Sequence, residues 1–184
     1  MKNINLIAKI ITKVLEIIYY VATALMAGVA FCAAFVPKGL KYFMDVEGLL
    51  ADGQASSYGF SVEVLNKAGK IDYTALCLFA VGSVLIFIVM AWIFRNLNLI
   101  IKKSENGTPF QTENIKRLKK IGILSIVIPL IGLVMSTIIR IVLGADFAEI
   151  SVDQSGVIMG IIILCITQYF AHGVELEKDV DGLL

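Results

Sequence analysis

The sequence predicts an all-α integral membrane protein with four transmembrane helices. Three observations carry this. Of 184 residues, 58% are hydrophobic and only 17% charged, a more apolar balance than ordinary soluble domains have. The apolar residues gather into four runs long enough to cross a bilayer, about 14–36, 73–94, 121–143 and 154–171. The cations are shared unevenly among the segments joining these runs. Arg95 to Lys120 holds seven of the 16 Lys and Arg, against two acids, Glu105 and Glu113. Such a segment stays on the cytoplasmic side and orients every span.

With both termini inside, the cytoplasmic side collects 11 of the 16 cations: three at the N-terminus, seven in the central segment, and Lys178. The chain therefore reads as one membrane domain, 1–184, placed N-in and C-in. It has extracellular loops 37–72 and 144–153, a cytoplasmic loop 95–120 and a cytoplasmic tail 172–184.

Lys2, Lys9 and Lys13 precede the first run. A basic start before an apolar stretch fits a signal peptide, but this run is longer than a signal core. Phe31 before Cys32 is too bulky for a lipoprotein cleavage site. We expect an uncleaved first span, with Glu16 paired or hydrated near the interface. Pro37 and Gly39 end it.

The loop 37–72 is too polar for a bilayer and forms a small extracellular cap. Phe60, Val62 and Val64 alternate with polar Ser61 and Glu63, which predicts a short strand near Gly59 to Leu65. Ala148 to Val152 alternates weakly and is expected to pair with it. Tyr73 and Trp92 suit the aromatic belts at the two ends of the second span.

Leu97, Ile100 and Ile101 continue the helical pattern of that span into the cytosol until Asn106-Gly107 breaks it. Thr108 suits an N-cap, Pro109 a first helical residue and Gln111 the capping-box position. Spans two and three should thus extend as an antiparallel pair packed through Leu97, Ile101, Phe110 and Leu118. Ser125, Pro129, Gly132, Ser136 and Arg140 then fall on one face of the third span, where small and polar residues normally meet other helices. Gly156-x-x-x-Gly160 in the fourth span marks close helix contact.

Catalysis is hard to build from these residues. The chain has one His and none of the common nucleophile, zinc-protease or phosphate-loop motifs. Cys32, Cys77 and Cys165 lie in apolar runs and suggest neither a disulfide framework nor a metal site. We expect no enzyme, no cofactor and no bound metal. His172 reads as a solvated helix-end residue. Arg140 is the ionisable residue set well inside a span. It is expected to pair with Asp72 or Asp153, or alternatively to touch a ligand.

The basic arms are expected to meet anionic lipid head groups and to form a docking surface for a cytoplasmic partner, with Phe110, Ile115 and Leu118 supplying its apolar part. The candidate partner-binding residues are Lys102, Lys103, Phe110, Asn114, Arg117 and Lys120. The candidate intramembrane polar face is Ser125, Pro129, Ser136 and Arg140.

Gly107-Thr108-Pro109-Phe110, Asn114, Arg117-Leu118 and Ile121-Gly122 before a proline-containing span resemble the central signature of the DUF 2975 family. Gly173-Val174-Glu175-Leu176, with Asp179 and Asp181, resembles that family's closing motif. Asp181-Gly182-Leu183-Leu184 departs from the family's usual ending. The resemblance spans about the whole chain. It implies a small four-span bacterial protein of the plasma membrane, often encoded beside helix-turn-helix regulators. It implies a regulatory or interaction protein that senses at the membrane and binds such a regulator, without itself binding nucleic acid. The alternative is a small transporter or channel, working as a homo-oligomer and using the Ser125 to Arg140 face.

Overall fold

The computed structural model describes residues 2–37, 39–40, 53–66, 69–104, 111–150 and 154–181. Four long helices dominate: α1 (Lys2–Phe35), α2 (Tyr73–Ser104), α3 (Thr112–Leu143) and α4 (Gln154–Asp181). Two strands, β1 (Gln54–Ser57) and β2 (Phe60–Glu63), form an antiparallel hairpin. All four helices contain stretches long and apolar enough to cross a membrane. The chain is a mostly helical, multi-pass membrane protein with a small two-stranded sheet. Much of its aliphatic surface is exposed, on α1 and α4 above all, as is normal where the surrounding solvent is lipid.

Every helix outruns its apolar run. α1 starts at Lys2 rather than near Val14, because no breaker precedes Pro37 and isolated lysines are good helix formers. α2 runs on to Ser104, as its pattern predicts. α3 begins at Thr112 among the described residues, where the Asn114 and Ile115 amides donate to the Gln111 carbonyl. The cap expected at Thr108 and Pro109, and the break at Asn106-Gly107, lie outside the described residues. α4 continues to Asp181, so the segment expected as a tail is mostly helical, and His172 lies inside a helix rather than at its end. The start of α2 has a side-chain cap: Asp72 Oδ1 accepts from the Thr74 and Ala75 amides at 2.9 and 3.1 Å. Asp72→Ala should cost about 1 kcal/mol, read as a lower melting temperature in detergent.

The helices divide between two compact units. Unit 1 comprises Met1–Ile18, Val89–Val127 and Gln154–Leu184; unit 2 comprises Tyr19–Ile88 and Ile128–Asp153. Unit 1 buries Ala91, Ile121, Leu124 and Val174 together with polar Glu16, Asn96, Asn114 and Thr167.

In unit 2 the core is built around the hairpin. Phe60, Val62 and Val64 are almost wholly buried, with Ala75, Ala80, Ile86 and Ile139. The pairing sets Gln54 opposite Glu63 and Ser57 opposite Phe60. Gly59 turns the chain at φ 85°, a backbone that side chains other than glycine's rarely adopt. The predicted strand is therefore present, but its main partner is β1, in a stretch that reads as merely small and polar. The pairing expected from Ala148 is confined to one bridge, Val62 to Ala148.

The hairpin does more than cap the helices. The Tyr58 hydroxyl lies 2.9 Å from that of Tyr19, midway along α1, and the Tyr19 ring meets Phe87, midway along α2. Phe60 stacks at 5.4 Å on Phe79 and reaches the surface of Gly82. The turn backbone at Gly59 presses on Gly132 of α3 so closely that a Cβ there would lie 2.6 Å from the Gly59 carbonyl oxygen. The hairpin tip is thus wedged among the helices of unit 2.

Candidate interaction site

The residues singled out in the sequence fall into two settings. The first is the paired arm of α2 and α3 in unit 1. Glu113 at the start of α3 ties the arm together. It accepts from Lys103 at the end of α2 and, at 2.8 Å, from Arg117 one turn further along α3. Lys120 sits over the Trp92 ring, 4.2 Å from its centroid. Three of the expected docking cations are thereby engaged within the arm, and Lys102 is exposed. Phe110 lies outside the described residues. Because Glu113 is half exposed, its pairs are screened, and Glu113→Ala should cost no more than about 1 kcal/mol, shrinking at high salt.

The arm also contributes to an apolar cavity of about 300 Å³, lined by Ile100, Asn114, Ile115, Leu118, Ile166 and Phe170. Ile115 and Leu118 are the apolar residues the sequence put forward, and Asn114 is buried among them. Ile100, Ile166 and Phe170 were not put forward as site residues. Helical periodicity shows that each faces inward or outward, not which neighbouring helix it meets.

The second setting is the polar stripe of α3. Ser125 donates to the Ile121 carbonyl of its own helix at 3.0 Å. Pro129 and Ser136 are fully buried, and Gly132 meets the hairpin turn. Arg140 does not pair with Asp72, whose carboxylate caps α2; Asp153 lies outside the described residues. Arg140 Nη1 instead donates to the Ala148 carbonyl at 2.9 Å. That oxygen satisfies one of the guanidinium's five N–H donors without neutralising its charge. The neighbouring bridge from Ala148 to Val62 links that contact to the hairpin.

Buried hydroxyls make the hairpin region unusual. Ser57, Ser83 and Ser136 have buried Oγ atoms without a hydrogen-bond partner among the described residues. By contrast Thr137 and Thr167 bond their own helices' carbonyls. Removing an unpaired buried polar group is neutral or stabilising. Ser136→Ala should therefore leave the melting temperature unchanged or raise it. A fall equivalent to more than about 1 kcal/mol would mean the hydroxyl has a bound water as partner.

Among the described residues no group of three or more His, Cys, Asp or Glu is placed to hold a metal. His172 meets Glu175 at 3.1 Å on an exposed part of α4.

Long apolar helices, a cation-rich arm and a wedged hairpin define a small multi-pass membrane protein. The chain belongs to the family described as protein of unknown function DUF2975, whose model matches residues 12–182. No curated protein and no solved structure matches it.

Proposed function

We propose that this chain is a non-enzymatic regulatory or interaction protein of the bacterial plasma membrane. It lies N-in and C-in and binds a cytoplasmic partner, of the helix-turn-helix class that the family resemblance suggests, through the arm of α2 and α3. The observation that carries this reading is the apolar cavity lined by Ile115 and Leu118, on the helix that also carries Lys116, Arg117 and Lys119. Hot spots in protein interfaces are commonly apolar or aromatic anchors seated in pockets that exclude water. In support of a partner over a transport path, Pro129 and Ser136 on the polar face of α3 are buried in packing.

A photo-crosslinking residue at Leu118 should capture a soluble DNA-binding protein in intact cells, and Ile115→Asp should abolish the capture while the protein still inserts. Products confined to lipid or to the chain itself would overturn the reading. The orientation has its own check. A cysteine at Asn106 should resist a membrane-impermeant thiol reagent from outside intact cells, and rapid labelling would reverse the topology.

A further inference from the structure

We infer that unit 1 carries a binding site for one anionic phospholipid head group, in a groove between α1 and α2 separate from the apolar cavity. The groove encloses about 550 Å³. Lys9 and Lys13 enter it from α1, and Arg95 and Lys102 from α2. Among the described residues that line the groove the carboxylate is Glu16; it is buried and held by Lys13 at 3.1 Å, which offsets that lysine's charge. Arg95 and Lys102 are both exposed on the α2 side of the groove, seven residues and about 10.5 Å apart along the helix.

The floor is fixed. Asn98 Nδ2 donates to the Lys9 carbonyl at 3.0 Å and to the Thr12 hydroxyl at 3.1 Å, so the two helices are joined at the level of the charges. Leu6, Ile10 and Val14 give α1 an apolar wall in the same groove. Cations above an apolar wall match a phosphodiester with acyl chains attached; a free anion would leave the wall unused.

The depth fits as well. The apolar stretch of α1, Asn5–Phe35, has 31 residues and α2 has 32. Each is about 46–48 Å long, against a hydrocarbon core of about 30 Å. The excess sets Lys9, Lys13, Arg95 and Lys102, near one end of each helix, at head-group level. Basic pockets between transmembrane helices at that level are a recurrent way of holding anionic lipids.

The test uses the purified full chain in a zwitterionic detergent. Added phosphatidylglycerol should raise its melting temperature saturably, and native mass spectrometry should show one retained lipid. Phosphatidylcholine and inorganic phosphate should do neither. Arg95→Gln with Lys102→Gln should weaken phosphatidylglycerol binding about thirtyfold, at about 1 kcal/mol per cation. Each single change should give about fivefold, which keeps the test usable if the double variant is unstable. Lys116→Gln with Lys119→Gln, exposed cations outside the groove, should bind like the wild type.

An equal response to phosphatidylcholine would show unspecific lipid binding, and a response to inorganic phosphate alone would show a free-anion site. Undiminished binding by the Arg95 and Lys102 variants would place the lipid elsewhere. Each result overturns the proposal. The partner reading fails separately, through the crosslink at Leu118.

Discussion

Gly132→Val should lower the melting temperature in detergent by the equivalent of about 3 kcal/mol or more, at the upper end of what overpacking a core costs. A Cβ at this position would stand 2.6 Å from the Gly59 oxygen and 2.9 Å from its carbonyl carbon. Both obstacles are backbone atoms, in a turn held on either side by the strand pairing. No side-chain rotation relieves the contact, so the hairpin must lift from α3. Lifting it exposes Phe60 and Val62 and separates Tyr58 from Tyr19. Limited proteolysis should accordingly cut the segment 36–72 faster in the variant. Gly28 of α1 provides the control, because nothing lies within 4 Å of a Cβ there. Gly28→Ala should leave stability unchanged or raise it by up to about 1 kcal/mol through helix propensity. Equal losses at Gly28 and Gly132 would mean that the wedge is not what holds the hairpin.

That wedge marks the boundary of what the sequence makes legible. The four spans are plain because apolar runs of this length have few other uses. Their ends are not, because lysine, glutamate and arginine beyond an apolar run continue a helix as readily as they end it. Glu175 to Asp181 and Lys102 to Ser104 are examples. The strand around Phe60 shows in its alternation, whereas Gln54 to Ser57 offers only one apolar residue, Ala55. That segment becomes a strand because the turn at Gly59 folds it back onto β2.

Arg140 illustrates a different limit. A search for its partner among acidic residues passes over the backbone, and a carbonyl supplied by Ala148 has no sequence signature. The candidate site divides in the same way. Ile115 and Leu118 were legible as apolar positions on a polar helix end. The grouping of Lys9 and Lys13 with Arg95 and Lys102 depends on how α1 meets α2, which Asn98 secures through a backbone oxygen and a hydroxyl.

Gly160→Val should produce the second large loss, about 2–3 kcal/mol, without changing the oligomeric state. Small residues in a G-x-x-x-G pattern invite a dimer reading, since such faces allow two helices to approach closely. In this chain the face is already occupied from within. A Cβ at Gly160 would lie 2.8 Å from the Gly122 carbonyl oxygen of α3 and 2.5 Å from Ile126 Cγ1; reciprocally, one at Gly122 would meet Leu164 and lie 3.2 Å from the Gly160 oxygen. The two contacts at Gly160 differ in kind. Ile126 is a side chain and can be trimmed, but the Gly122 oxygen belongs to the helix backbone. Gly160→Ala combined with Ile126→Ala should therefore be less damaging than the two separate losses added together, a coupling of about 1 kcal/mol in a double-mutant cycle. Gly160→Val should not be rescued to the same degree, because its added methyl groups still press on α3. If crosslinking instead shows that Gly160→Val dissociates an oligomer while leaving the melting temperature of the monomer intact, the glycine serves a second copy of the chain and not α3.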